Sequence, residues 1–325
     1  MPYKLRNKTR HKFPKTNYKI TNWKDYEKGL KNRGNICFWF SEEVVKGWYC
    51  NNKIKSVGRQ FKYSEVAIKT GLILKIVFKL TYRSLEGFLG SLSNMLQIKI
   101  DIPDHSVFSR RAASINGIEL TKLNSKRKLN VIIDSTGIKI FSEEEWLQKK
   151  YRLNKNKPWR KLHLAIDEKT QQIMSSELTP LNISDNSMVK PLLQVITHKV
   201  KKVMADKAYD SDQVYADIVS ATNDEKVNIT IPARPNASKF CYFKFKLTKR
   251  NKEQKKWFDL GPYKWQKATS YNKRSLVETA MMRYKRIIGN KLFSRKFINQ
   301  EIESALGVFI LNNMLALGKP ISVRT

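Results

Sequence analysis

The chain has 325 residues, of which 63 are Lys or Arg and 28 are Asp or Glu, giving a formal net charge of +35. At 41% apolar and 11% aromatic residues it can bury a core and is not a disordered composition. The scarcity of acids points to a polyanionic partner, nucleic acid ahead of an anionic membrane surface, and three scattered cysteines without a CxxC exclude a disulfide framework or a zinc knuckle.

Residues 1–20 form a basic arm without an apolar stretch, which is not a secretory signal and is expected to be mobile. Residues 21–124 are expected to be mainly helical and to bind DNA. Trp23 to Tyr49 is rich in aromatics that need packing partners, and Asn51 to Arg59 is a polar, basic linker. Ser64 to Leu80 carries apolar residues at helical spacing, and Lys69, Lys75 and Lys79 interrupt it, so it is an amphipathic helix and not a membrane span. Ser84 to Leu96 is a second helix. A third opens at Asp104 or Ser106 after Pro103 and runs through Arg110 and Arg111 towards Ile118. Three short helices with a basic third suit a helix-turn-helix-like unit, and equally a helical packing layer without DNA contact.

From Leu129 the pattern changes. Val131-Ile132-Ile133 is a continuous apolar run ending in Asp134, as in a strand buried on both faces. Trp159 to Ile166 alternates, Asp167 to Thr170 is a turn, and Ile173 to Leu178 returns. Asp185 caps a helix through Val200. Val203-Met204-Ala205 is a short strand ending in Asp206, a helix starts near Ser211, and Val227 to Ile231 is another strand. Ala233 to Lys267 is basic, aromatic and irregular, an insertion. Ser270 to Ile288 and Asn299 to Leu317 are helices. Residues 125–325 are therefore an α/β domain with an insertion at about 233–267.

GxxxxGK[ST], GxGxxG and GxSxG do not occur, against P-loop, dinucleotide and serine-hydrolase chemistry. The four histidines are not at metal-ligand spacing. What remains is carboxylate chemistry. Asp134 and Asp206 each end an apolar strand, where the groups of open α/β sheets gather. Asp210 is a rival for the second acid, and the strand end favours Asp206. At about 100° per residue, Tyr271, Arg274, Glu278 and Lys285 fall within roughly 60° of one helix face, leaving Leu276, Met282 and Ile287 to pack. Two or three carboxylates on rigid supports suffice for two divalent cations, because phosphate and water complete the shells. His163 is expected to be a sheet histidine without a catalytic role. Trp257, Tyr263 and Trp265 are expected to form a small core of the insertion, with stacking on an unpaired base as the alternative.

The spacings are equal (206 − 134 and 278 − 206, each 72), and Tyr271, Arg274, Glu278 and Lys285 fit the Y-x2-R-x3-E-x6-K signature of bacterial DDE transposases at all four positions. The blocks Val131 to Gly137, Trp159 to Leu164 and Ala205 to Ser211 resemble the same family, as do Arg33-Gly34, Phe38 to Glu42, and Pro103 to Ser106 with Arg110 and Arg111. The resemblance is to the insertion-sequence-five family and covers about residues 22–322. It implies a ribonuclease-H-like catalytic fold with Asp134 on the first strand, Asp206 near the fourth and Glu278 on a later helix. It also implies two Mg²⁺ ions held by Asp134, Asp206 and Glu278, with Mn²⁺ able to substitute. DNA contacts from Tyr271, Arg274, Lys285, Arg110 and Arg111 are expected, as is metal-dependent cleavage and transfer of double-stranded transposon ends by a homodimer. The expected place is the bacterial cytoplasm, on the nucleoid. Ala205 and Lys207 flank Asp206 where relatives often carry small residues such as Gly. The alternative is a catalytically silent, transposase-derived DNA-binding regulator, whose mark would be a lost acid. The motifs of a generic RNA-binding protein are not evident.

Overall fold

Residues 17–50, 60–115, 117–118, 120, 127–141, 159–234, 242–243 and 246–325 are described by a computed structural model of the chain. The basic linker expected over Asn51 to Arg59 and residues 1–16 of the basic arm lie outside them. The chain divides into two compact units, Met1–Trp39 with Asn313–Thr325, and Phe40–Asn312.

In the smaller unit, Tyr18–Ile20 pairs antiparallel with Ser322–Arg324, so the end of the expected arm is a strand. The helix Trp23–Arg33 needs Gly29, where a Cβ would lie 2.7 Å from the Leu317 carbonyl oxygen. Arg33 donates to the Gly318 carbonyl at 2.9 Å, and the buried Trp39 indole donates to the Arg33 carbonyl at 2.9 Å.

In the larger unit a short helix, Glu42–Lys46, is followed by three helices whose starts follow their caps. Ser64 accepts from the Ala67 amide at the head of α1 (Glu65–Val77), Thr81 from Ser84 ahead of α2 (Tyr82–Met95), and Asp104 from Ser106 ahead of α3 (His105–Arg111). Ile68, Leu74, Leu85, Leu89 and Phe108 are fully or almost fully buried, and Trp48 is buried with its indole bonded to the Asp101 carbonyl at 2.9 Å. The third helix stops short of the expected Ile118, tightening into a 3₁₀ turn over Ala112–Ser114.

The sheet comprises β1 (Leu129–Ile140), β2 (Trp159–Asp167), β3 (Ile173–Pro180), β4 (Val200–Met204) and β5 (Asn228–Thr230), in the order β3-β2-β1-β4-β5. β1, β2 and β3 form an antiparallel meander, whereas β4 and β5 run parallel to β1. Strands alternate their side chains between faces. Val131, Ile133 and Val203 pack on one face against Leu192 and Leu193 of α4 (Val189–Gln194) and Val214 and Ile218 of α5 (Asp212–Thr222). Ile132, Leu164 and Met204 pack on the other against Val277, Ala280 and Met281.

Several expected boundaries change. β1 does not end at Asp134 but continues to Ile140, because the polar residues that follow pair with β2. The helix after Asp185 ends at Gln194, and Val200 opens β4. Of the expected irregular insertion, residues 235–241 and 244–245 lie outside the described residues. The rest is a short hairpin pairing Tyr242–Phe243 with Lys246–Leu247, and then a helix, α6 (Lys249–Thr269), kinked where Gly261 takes φ +71° before Pro262. The last expected helices are a 3₁₀ turn (Tyr271–Arg274), α7 (Ser275–Arg283), a π-helical turn (Tyr284–Ile288) and α8 (Phe297–Leu317), with β6 (Lys291–Leu292) paired to the far end of β1. Among the described residues no helix is long and apolar enough to cross a membrane.

Candidate active site

The register of β1 and β4 brings two acids together. These strands are parallel neighbours with Ile132 opposite Met204. Asp134 lies two residues beyond Ile132, and Asp206 two residues beyond Met204. Both therefore keep the parity of the face on which α7 packs, at the same height along the sheet. Glu278 stands on that helix in its first turn. The strand carries Asp134 in its middle rather than at its end, which makes its backbone more rigid than expected.

Arg274 ties the third acid to the first. Its guanidinium donates to Asp134 Oδ2 at 2.8 Å and also pairs with Glu278. Asp134 accepts a second bond from the Ser135 amide at 2.9 Å. Despite these contacts, burial pushes the Asp134 carboxyl up to about 6, helped by the nearby charges of Asp206 and Glu278. Asp206 accepts from the Ala208 amide at 2.6 Å, capping a 3₁₀ turn.

This set suits a hard cation. Its donors are all oxygen, its supports are a central strand, a strand end and a helix, and a cationic group already sits between Asp134 and Glu278. The three carboxylates do not yet converge on a point. Among the described residues, only Glu86, Asp104 and His105 bring three such ligand atoms within 4.8 Å of one another. Sequence reasoning did not single these out as a group. They are bonded internally, with His105 Nδ1 at 2.9 Å from Glu86 and the His105 amide donating to the same carboxylate, which ties α2 to α3.

The other expected site residues divide. Tyr271 packs its ring on the buried Trp265 at 5.1 Å, and burial raises its hydroxyl pKa, with all three acids adding to the rise. It is thus in electrical contact with the centre. Lys285 lies in the π-helical turn, so the four signature residues do not share one ideal α-helix, and burial lowers its pKa. Val277, Ala280, Met281 and Tyr284 are the packing face, whereas Met282, expected to pack, is exposed. The π turn seats Tyr284 against Gly307, where a Cβ would lie 2.8 Å from its hydroxyl. Arg110 is exposed and bonds Ser106 at 3.2 Å. Arg111 instead bonds the Tyr63 carbonyl and covers the Phe61 ring at 4.1 Å.

Asp210 is bound up in the fold. It is buried, accepts from Arg250 at 2.7 and 3.2 Å, and also takes bonds from Gln254 and the Arg234 amide. Asp167 accepts from Arg127 and from Thr170, as a turn residue should. Asp185 makes no cap bond and instead binds Lys161 at 3.0 Å. His163 is wholly buried, bonds Thr179 at 2.8 Å, and is held down to about 4 by that burial. In the insertion, Trp265 is buried but Tyr263 is 80% exposed, so the expected small core takes only part of the aromatic set.

A mixed sheet whose main path runs in this order, with an acid on its first strand, another after its fourth and a third on a later helix, is a ribonuclease-H-like arrangement. Two family models, each described as a transposase DDE domain, match residues 31–143 and 125–313. The chain belongs to the family of DDE transposases. It is also similar to a solved structure described as a piggyBac transposase synaptic complex with hairpin DNA, at 12% identity and a TM-score of 0.39, over 92% of this chain and 77% of that one. Divalent metal use goes with the family.

Proposed function

We propose that the chain is an insertion-element transposase of the insertion-sequence-five group, which cuts element ends and joins them to target DNA at Asp134, Asp206 and Glu278. The observation that carries this reading is the shared height and face of Asp134 and Asp206 beneath the helix bearing Glu278. The three carboxylates would hold two Mg²⁺ ions, which supply a Lewis acid for the scissile phosphate and lower the pKa of bound water. Arg274 neutralises Asp134 and Glu278 until a DNA phosphate draws it away and cations would take its place. Tyr271 packs against Trp265 and orders the backbone that leads into Arg274. Lys285 and Arg110 offer cations to the DNA backbone, while Arg111 steadies the helical region.

In this reading residues 1–20 are a basic DNA-binding arm, 21–124 a mainly helical DNA-binding region, and 125–325 the catalytic region with its insertion. A homodimer on double-stranded DNA follows from the need to pair two ends, and its place would be the cytoplasm, on the nucleoid.

The test is nicking of a supercoiled plasmid that carries the DNA flanking the gene. Nicking is expected in Mg²⁺ or Mn²⁺, and neither in EDTA nor with Asp206→Asn or Glu278→Gln, because an amide is a poor ligand for a hard cation. Cleavage in EDTA would overturn the metal assignment. If only Glu278→Gln still cut, Glu278 would be no more than the partner of Arg274.

A further inference from the structure

The two aspartates of the site are held in different ways. Asp134 lies inside β1, and the residues on both sides of it pair with β2. Asp206 lies outside β4, which ends at Met204, the last residue to pair with β1 and β5. Beyond it the Ala205 amide reaches the Thr230 carbonyl only at 3.4 Å. The place of Asp206 is thus left to the turn that follows, Lys207–Tyr209. The Asp206 side chain accepts from the Ala208 amide at 2.6 Å, and its carbonyl accepts from the Tyr209 amide at 3.1 Å. Tyr209 is buried in the core and anchors the end of the turn, whereas Lys207 and Ala208, next to Asp206, are exposed.

Those two residues are held from the insertion. Arg234, at its start, donates from Nε to the Lys207 carbonyl at 3.2 Å and from Nη2 to the Ala208 carbonyl. One planar guanidinium so bridges two successive carbonyls of the turn that carries Asp206. The Arg234 backbone is itself anchored. It follows the buried Ile231 and Ala233, and its amide donates to Asp210 Oδ2 at 3.0 Å. Arg250 and Gln254 of α6 donate to the same carboxylate at 2.7 and 2.9 Å, so the insertion grips the chain behind Asp206 at both ends of the turn.

We propose that Arg234 is a positioning residue for Asp206, and that through it the insertion sets the divalent-cation affinity of the assigned centre. A ligand to a cation must be held to within about 0.5 Å of its productive place by the groups behind it. Asp134 has that support from the sheet, and Asp206 has it from Arg234. Without the guanidinium, Lys207 and Ala208 lose their outside support, and binding an ion must also order Asp206. Removing a group that orients a ligand from behind typically costs about ten- to hundredfold in metal affinity.

The inference rests on the transposase reading, and its test reads ion binding directly. Full-length wild type, Arg234→Ala, Arg234→Lys and Asp206→Asn are titrated with Mn²⁺ on a duplex of the flanking DNA. The paramagnetic resonance signal of the free ion is followed, and the uptake by duplex alone is subtracted. Arg234→Ala should bind Mn²⁺ about tenfold or more weakly. It should melt within about 2 °C of wild type, as a surface substitution does, and bind the duplex in EDTA within about twofold of wild type. Arg234→Lys keeps the charge without the planar fork and should lose about three- to tenfold, which decides the outcome if the alanine variant folds poorly. Unchanged Mn²⁺ binding in either variant overturns the proposal. So does a loss matched by an equal loss of duplex binding in EDTA, which would make Arg234 a phosphate contact. If Asp206→Asn binds Mn²⁺ like wild type, the assigned centre itself fails, and this inference with it.

Discussion

Asp134→Asn should stabilise the metal-free protein increasingly as pH rises. The Asp134 carboxyl sits at about 6 in the fold against 3.8 when free, because burial opposes its charge. A raised carboxyl pKa means that the folded state binds more protons than the unfolded one between those values, so this group's contribution to stability falls as pH climbs through that window. Worked from the two values, the penalty grows by about 2 kcal/mol between pH 4 and pH 8. Asparagine has no such charge and escapes the penalty. The guanidinium of Arg274 opposes this rise in pKa and is already counted in the value of about 6. The difference between the two proteins must therefore move with pH, in favour of the variant as pH rises. Thermal melting in EDTA at pH 4 and pH 8 reads it. Relative to wild type, the variant should gain a few degrees on going to the higher pH, roughly 2–4 °C per kcal/mol. A difference that stays constant, or grows in favour of wild type, would refute a carboxyl strained by burial.

Two further predictions use other parts of the chain. Binding to double-stranded DNA should weaken steeply with salt, as the charge of +35 requires, with a slope of about −0.9 in log affinity per phosphate neutralised; a flat titration would remove nucleic acid as the partner. Asp210→Asn should cost about 3–5 kcal/mol in urea unfolding, because it strips the buried Arg250 of its bidentate partner, whereas Asp206→Asn should leave unfolding almost unchanged; reversed costs would make Asp210 the functional acid.

Much of the frame was legible because it rests on local chemistry. Asp104 caps a helix as expected and Ser64 caps the helix expected to start there, whereas the second helix starts at Tyr82 behind Thr81, ahead of the expected Ser84. The acids were legible from apolar strand runs and the equal spacing. What failed did so where tertiary pairing overrides local pattern. β1 runs past Asp134 because Ser135, Thr136 and Gly137 have partners on β2, which no apolar count reveals. The stretch from Val195 to Lys199 follows a helix and precedes a strand, and its β-branched residues Val195, Ile196 and Thr197 belong to neither. The polar α6 looked irregular because a Gly-Pro pair interrupts it, although helix forms on both sides. Asp185 was legible as an acid before a helix but not as the partner of Lys161, since the two meet only through the pairing of β2 with β3.

Charge economy links these observations. A carboxylate cluster awaiting cations is costly when empty, and here each acid meets a different solution. Asp134 and Glu278 share Arg274, and Asp206 takes the amide of Ala208. Asp210, four residues further on, is neutralised permanently by Arg250. The contrast supports Asp206 over Asp210 as the second acid of the proposed site. Arg250 is nearly buried and held by two aspartates, so it has nowhere to go. Arg274 is held by two acids as well, but Glu278 is 44% exposed and ends that pair in solvent. A phosphate arriving there can compete for the guanidinium, and its departure leaves Asp134 and Glu278 facing each other with charge to be met. On the proposed reading, DNA binding and cation binding would be coupled through this one side chain, and the centre would reach its full affinity for metal only with its substrate in place.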